Sequence, residues 1–150
     1  MNIETILKTN KEMPLSRKAI VNLFFTEKWL TEQMNTSLKP YDISIQQFNV
    51  LRILKGQQGK PANLSTIQDR MVSKMSNTTR LVDKLIKKSL VHRNICPSNR
   101  RKVEIIITSE GSKFLDSVSK TITSLEHKLT ANLTDTELEQ LDQLLTKLRT

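Results

Sequence analysis

The sequence predicts a mainly α-helical fold with one β-hairpin set inside it, and three observations lead there. Hydrophobic residues form 37% of the 150 positions and aromatics only 4%, so the core must rest on Leu, Ile and Val. The three glycines are fewer than the turns of a barrel or sandwich use. Apolar positions recur at steps of three and four along most of the chain, the period of a helix. A chain of this length can form one domain or two small lobes, and it buries roughly 70% of the surface that its unfolded form exposes.

The first helix is predicted from Pro14 to Leu38, where Ile20, Leu23, Phe24, Leu30, Met34 and Leu38 keep the helical spacing. Pro14 suits a first turn, and Lys39-Pro40 ends the run. Ser44 and Gln47 form an S-x-x-Q capping box ahead of Ile45, Phe48, Leu51 and Leu54, so a second helix starts there and ends near Gly56 or Gly59. Ser65 and Gln68 repeat that signature and predict a short third helix, interrupted at Val72 and Ser73. From Ser76 the run SNTTRLVDKLIKKS sets Thr78, Leu81, Val82 and Leu85 on one side and Asn77, Arg80, Lys84 and Lys87 on the other, an amphipathic helix with a basic outer face. The β-prone runs VHRNI and KVEIIIT, separated by CPSNRR, predict a hairpin with a cationic tip. Beyond Thr108, Leu115, Val118, Ile122, Leu125 and Leu129 step like a coiled-coil seam. Thr134 and Glu137 cap a last helix carrying Leu138, Leu141, Leu145 and Leu148. The N-terminal helix can cover part of these two seams; a second subunit is expected to cover the remainder, the alternative being a bundle within one chain.

Charge is concentrated rather than spread. Between Lys55 and Lys102 lie twelve Lys and Arg against Asp69 and Asp83, a net +10, while the rest of the chain is close to neutral and the total is +9. Such a block suits a polyanion. The N-terminus lacks a secretory pattern and no run approaches 18 apolar residues, so a soluble, cytoplasmic protein with no membrane partner is expected. A single cysteine, Cys96, excludes an internal disulfide framework and a thiolate zinc cluster, and neither metal nor cofactor is expected. His92 has no partner at metal-ligand spacing. There is no nucleophile beside a histidine, no paired carboxylates and no glycine-rich phosphate loop, so an enzyme is not expected.

Helix, short helix, turn, basic helix and cationic hairpin, in that order, make a winged helix-turn-helix. The second helix of the pair fits the major groove of double-stranded DNA, roughly 12 Å wide, and the hairpin reaches the adjacent minor groove. The run TTRLVDKLIKKSLVHR followed by NRRKVEIIITSEG resembles the multiple-antibiotic-resistance regulator (MarR) family, whose wing reads approximately D-x-R, five residues and LT-x-x-G. The segment SIQQFNVLRIL is similar to that family's second helix. The resemblance implies a single domain over residues 1–150, with a DNA-binding lobe at 44–108 and a helical dimerisation lobe from 14–38 plus 109–150. It further implies a homodimeric, ligand-responsive repressor on a near-palindromic operator. A winged-helix module that binds an acidic protein or RNA through its basic face is the alternative.

Carried over by resemblance, Arg101 is the wing arginine expected in the minor groove, with Arg100 beside it on phosphate. Ser76, Asn77, Thr79 and Arg80 are expected at base edges, Asn77 on adenine and Arg80 on guanine; Lys74 and Lys84 are expected on phosphates. Asp83, an acid on a basic face, is expected to brace the wing through Arg101 or Arg93, or else to pair on the surface with Lys87. Two departures from the family pattern stand out: Asn99 replaces Asp at the start of the wing motif, and Ser89 replaces the Gly that ends the recognition helix. The resemblance also implies a small aromatic effector, with Phe25, Trp29 and Arg52 as candidate lining groups and helix core as their other reading. Cys96 sits ahead of the wing tip, where Arg93 and Arg100 are expected to lower its pKa if it is redox-active, a structural role being the alternative.

Overall fold

The structure is a computed structural model that describes residues 2–150; of the Arg100 side chain nothing is described. Among the described residues, seven α-helices and two strands run in the order α1 (Ile3–Ile6), α2 (Leu15–Leu38), α3 (Ile45–Gly56), α4 (Leu64–Arg70), α5 (Thr78–Lys87), β1 (Val91–Cys96), β2 (Asn99–Ile107), α6 (Ser109–Thr130) and α7 (Asp135–Leu148). The chain divides after Thr36 into two compact units.

In the first unit, the Asn2 side chain accepts from the Thr5 amide at 2.9 Å and starts α1, a single turn too short to show a period in the sequence. Lys18 on α2 pairs with Glu4 at 2.8 Å and holds that carboxyl below its ordinary value. Pro14 stands just ahead of α2, its carbonyl accepting from the Lys18 amide at 2.9 Å, one position outside the first turn predicted for it.

The second unit begins with the last turn of α2 and a 3-10 turn at Lys39–Tyr41. Asp42 follows at φ 54, and its carbonyl and carboxylate both receive Lys88 from the end of α5. The Ser44–Gln47 capping box is present in full, with both reciprocal hydrogen bonds, and α3 carries Phe48, Val50, Leu51 and Leu54 into the core. Ile67 and Met71 from the α4 region, Val82 and Leu85 from α5, Ile105 from β2, and Leu115, Val118 and Ile122 from α6 complete it. Each such side chain contributes about 1.5–3 kcal/mol through burial. Tyr41 meets α6 twice, its hydroxyl 2.5 Å from that of Thr121 and its ring edge-on to Phe114 at 6.0 Å.

Two boundaries differ from expectation. The predicted Ser65–Gln68 box does not form: Asn63 caps α4 by accepting from the Thr66 amide at 2.8 Å, and the helix begins two residues earlier. The reason lies one residue upstream, where Ala62 and Ile105 exchange two backbone hydrogen bonds of 2.9 and 2.8 Å. This one-residue third strand fixes where the chain turns into α4. The second difference is at the hairpin, whose strands run to Cys96 and from Asn99, so that only Pro97 and Ser98 remain between them.

Ser89 keeps the left-handed helix stop despite its Cβ, at φ 59. Its amide donates to the Ile86 carbonyl and the Leu90 amide to the Leu85 carbonyl, the paired bonds of a Schellman motif. Thr108 then clamps the stop, donating its hydroxyl to the Ser89 carbonyl at 2.8 Å and its amide to the Leu90 carbonyl at 3.0 Å. Gly111 lies so close to this junction that a Cβ there would collide with the Leu90 carbonyl oxygen. The glycine of the T-x-x-G run is therefore a contact requirement between α6 and the end of α5.

Candidate nucleic-acid interface

The turn between α4 and α5 is built around Gln68. Its amide nitrogen donates to the Lys74 carbonyl at 2.7 Å and its amide oxygen accepts from the Thr78 hydroxyl, so one side chain ties both the turn and the first residue of α5 to α4. Thr78 is buried, as its inward position in the sequence pattern requires. The sequence alone gave Gln68 a capping role; its longer-range role depends on the turn closing over it.

The residues expected to face DNA divide into two groups. Lys74 donates its ammonium to the Asp69 carbonyl at the end of α4 while the residue remains exposed. The Ser76 hydroxyl is turned inward and buried, without a hydrogen-bond partner among the described residues. Asn77 is the N-cap of α5, its side-chain oxygen accepting from the Arg80 amide at 3.1 Å. A bidentate grip on adenine would need that oxygen, so the expected base contact competes with the cap. Thr79, Arg80 and Lys84 are exposed. Arg80 and Lys84 line an open groove of about 440 Å³ with Gln46, Met75 and Leu81.

The wing carries the second cationic surface. β1 and β2 pair antiparallel in regular register from Val91↔Ile107 to Ile95↔Val103, and the next pair is Cys96↔Asn99. The slip leaves residues 100–102 bulging from β2 at the tip. Arg101 and Lys102 are both exposed there, Lys102 being a cation whose place in the NRRK run was the only sign of it; the expected Arg100 contact lies outside the described residues. Asn99 accepts from the Arg101 amide at 3.1 Å, so the neutral side chain pins the bulge through the backbone where a carboxylate would also have faced the guanidinium. Arg101 and Lys102 share a second groove, about 360 Å³, with Asn63 and Ser65 at the start of α4.

Of the partners considered for Asp83, the structure chooses Arg93, at 2.5 Å from guanidinium to carboxylate. This joins the middle of α5 to β1. Cys96 lies 3.1 Å from the Ser98 hydroxyl, and its thiol is held below the ordinary value by that hydroxyl and then by the amides of Ser98 and Asn99, whereas arginines had been expected to cause the shift. His92 is exposed on β1. Phe25 and Trp29 belong to the first unit, on α2. Arg52 belongs to the second, its guanidinium 5.7 Å from the Phe48 ring centre.

A family model described as the MarR family matches residues 43–103, from the turn before α3 to the wing. The transcriptional repressor MprA of Escherichia coli (strain K12) is 30% identical over 119 residues, which span 79% of this chain and 68% of MprA. Wild-type MarR from E. coli, in its apo crystal structure, is 26% identical with a TM-score of 0.69, covering 93% of this chain and 98% of that one. CouR from Rhodococcus jostii RHA1, crystallised with p-coumaroyl-CoA, shares the fold at 23% identity and a TM-score of 0.75, over 91% of this chain and 95% of CouR. Among the described residues, no helix is long and apolar enough to cross a membrane. The winged helix-turn-helix, the family match and the span shared with MprA together make this chain a member of the MarR family of transcriptional regulators.

Proposed function

We propose that the protein is a homodimeric repressor that binds a near-palindromic duplex operator and releases it in response to a small ligand. The observation that carries the DNA reading is the agreement of charge with geometry: the +10 block coincides with α4, α5 and the wing, and its outward cations line two open grooves. In this reading α5 enters the major groove with Thr79 and Arg80 toward base edges and Lys84 on phosphate. Arg101 enters the minor groove, where concentrated negative potential suits a guanidinium, with Lys102 and Arg100 on the flanking backbone. Asp83 and Arg93 hold the wing against α5. Two recognition helices related by a twofold axis predict half-sites about 10 bp apart, or a multiple of that.

The ligand reading draws on the relatives. CouR is crystallised with an aromatic acyl thioester, p-coumaroyl-CoA. An aromatic acid or its conjugate is the corresponding ligand class here, with Phe25, Trp29 and Arg52 as the groups to test.

The deciding experiment is a salt titration of binding to the duplex upstream of the protein's own gene, beside a scrambled duplex of equal length. Preference for the upstream duplex should persist as log affinity falls steeply with log salt, the mark of several phosphate contacts. Arg101→Ala should weaken both duplexes and flatten the salt slope by about 1 unit. Equal affinity for the two duplexes at every salt concentration would count against that DNA as operator; no duplex binding at low salt would count against the DNA reading itself.

A further inference from the structure

We propose that Met75 is a specificity residue that reads the 5-methyl group of a thymine in the major groove; the inference rests on the DNA-binding function proposed above. Met75 is 95% exposed, in the turn that leads into α5, two residues ahead of the helix cap Asn77. With Leu81 it supplies the apolar lining of the groove that Arg80 and Lys84 also line.

A lone exposed methionine on a protein surface is ordinary. This one differs in two respects. Its segment is clamped, since Gln68 holds the Lys74 carbonyl on one side of it and the Thr78 hydroxyl on the other, so the side chain projects from a fixed base. Two polar neighbours that line the same groove are also partly withdrawn from it: the Ser76 hydroxyl is buried without a partner among the described residues, and the Asn77 oxygen caps α5. The front of the recognition helix is therefore poorer in free hydrogen-bonding groups than its composition suggests, and Met75 adds an apolar one. In the major groove the apolar feature of the base edges is the thymine methyl. An unbranched, polarizable thioether adapts its shape to such a target. Val72, 89% exposed at the other end of the turn, shows that apolar exposure here is not confined to one position.

Replacing thymine by deoxyuridine removes that methyl and leaves every hydrogen-bonding group of the base in place. Duplexes would first be selected from a random library with the full chain, and each thymine of the selected site then replaced singly. The expected result is a position in each half-site where loss of the methyl weakens binding about fourfold, equivalent to about 0.8 kcal/mol for one buried methyl-sized group. That penalty should disappear in Met75→Ala and in Met75→Gln, the latter keeping the length of the side chain but presenting a polar end. Penalties that are the same in the variants as in the parent, or no penalty at any thymine, would overturn the proposal and leave the DNA-binding function standing. Failure of the library to yield any enriched sequence would instead overturn sequence-specific binding, and the Met75 proposal with it.

Discussion

Asn77 carries two assignments that mutation can separate. As the N-cap of α5 it satisfies the Arg80 amide, and replacing it by Ala should cost about 1 kcal/mol of stability. Asn77→Asp keeps an oxygen for the same amide and places negative charge at the positive end of the helix, so stability should hold. The same charge would face the phosphates, so duplex affinity should fall. Denaturant unfolding and duplex binding measured on both variants check this. Equal loss of stability in the two would remove the cap as the main role of the residue. The sequence pattern starts the basic helix at Ser76 and counts Asn77 in its first turn, whereas Asn77 is the cap ahead of Thr78; a capping side chain and a base-reading side chain have the same composition. They part only in the folded chain, where the oxygen meets the Arg80 amide.

Among the elements, those with a strong period or a complete capping box were legible in advance: α3 with Ser44 and Gln47, α5 with its two faces, and α7 with Thr134 and Glu137. What failed was decided by contacts distant in sequence. The start of α4 is set by the Ala62–Ile105 bridge, and Gln68 is drawn from a local cap to Thr78. Neither contact has a local pattern. The glycine of the wing motif is the opposite case, recognisable by resemblance but explained only by its contact with the Leu90 carbonyl. Gly111→Ala must push α6 away from the end of α5, and a loss of about 1–3 kcal/mol is expected in denaturant unfolding. An unchanged midpoint would mean that the junction relaxes freely.

The cap of α7 also makes a pH prediction. Glu137 accepts from the Thr134 amide at 2.8 Å and from its hydroxyl at 2.9 Å, and these bonds hold its carboxyl below the ordinary value of 4.5. A depressed folded pKa means that the stabilisation is present above 4.5 and is lost as pH falls through the lower folded value. Helix content should therefore fall in that acid window, and Glu137→Gln, which keeps an amide oxygen for the cap but does not titrate, should remove this part of the fall. Circular dichroism of the two proteins across the window tests it. An identical acid profile in the two would assign the loss to other carboxylates.

At the scale of the whole molecule, the two leucine seams have different fates. The first half of the α6 seam is closed within the chain, with Leu115, Val118 and Ile122 all at most 3% exposed. On α7 the seam is only partly covered: Leu138 and Leu145 are half-buried, Leu141 is 44% and Leu148 64% exposed, and Leu144 beside the seam is 64% exposed. The single chain thus leaves an apolar stripe, and burying each of those side chains is worth about 1.5–3 kcal/mol. A second copy of the chain is the partner proposed above, because a twofold axis lets one stripe pack on its equivalent without requiring another protein. Leu141→Asp with Leu148→Asp places two charges in that stripe. In sedimentation experiments the parent is expected as a dimer and the double variant as a monomer, with the helix content of each chain retained, since neither residue lies in the core. Duplex affinity should fall with the dimer, because a monomer presents one recognition helix to an operator of two half-sites. A double variant that remains dimeric would move the interface away from α7.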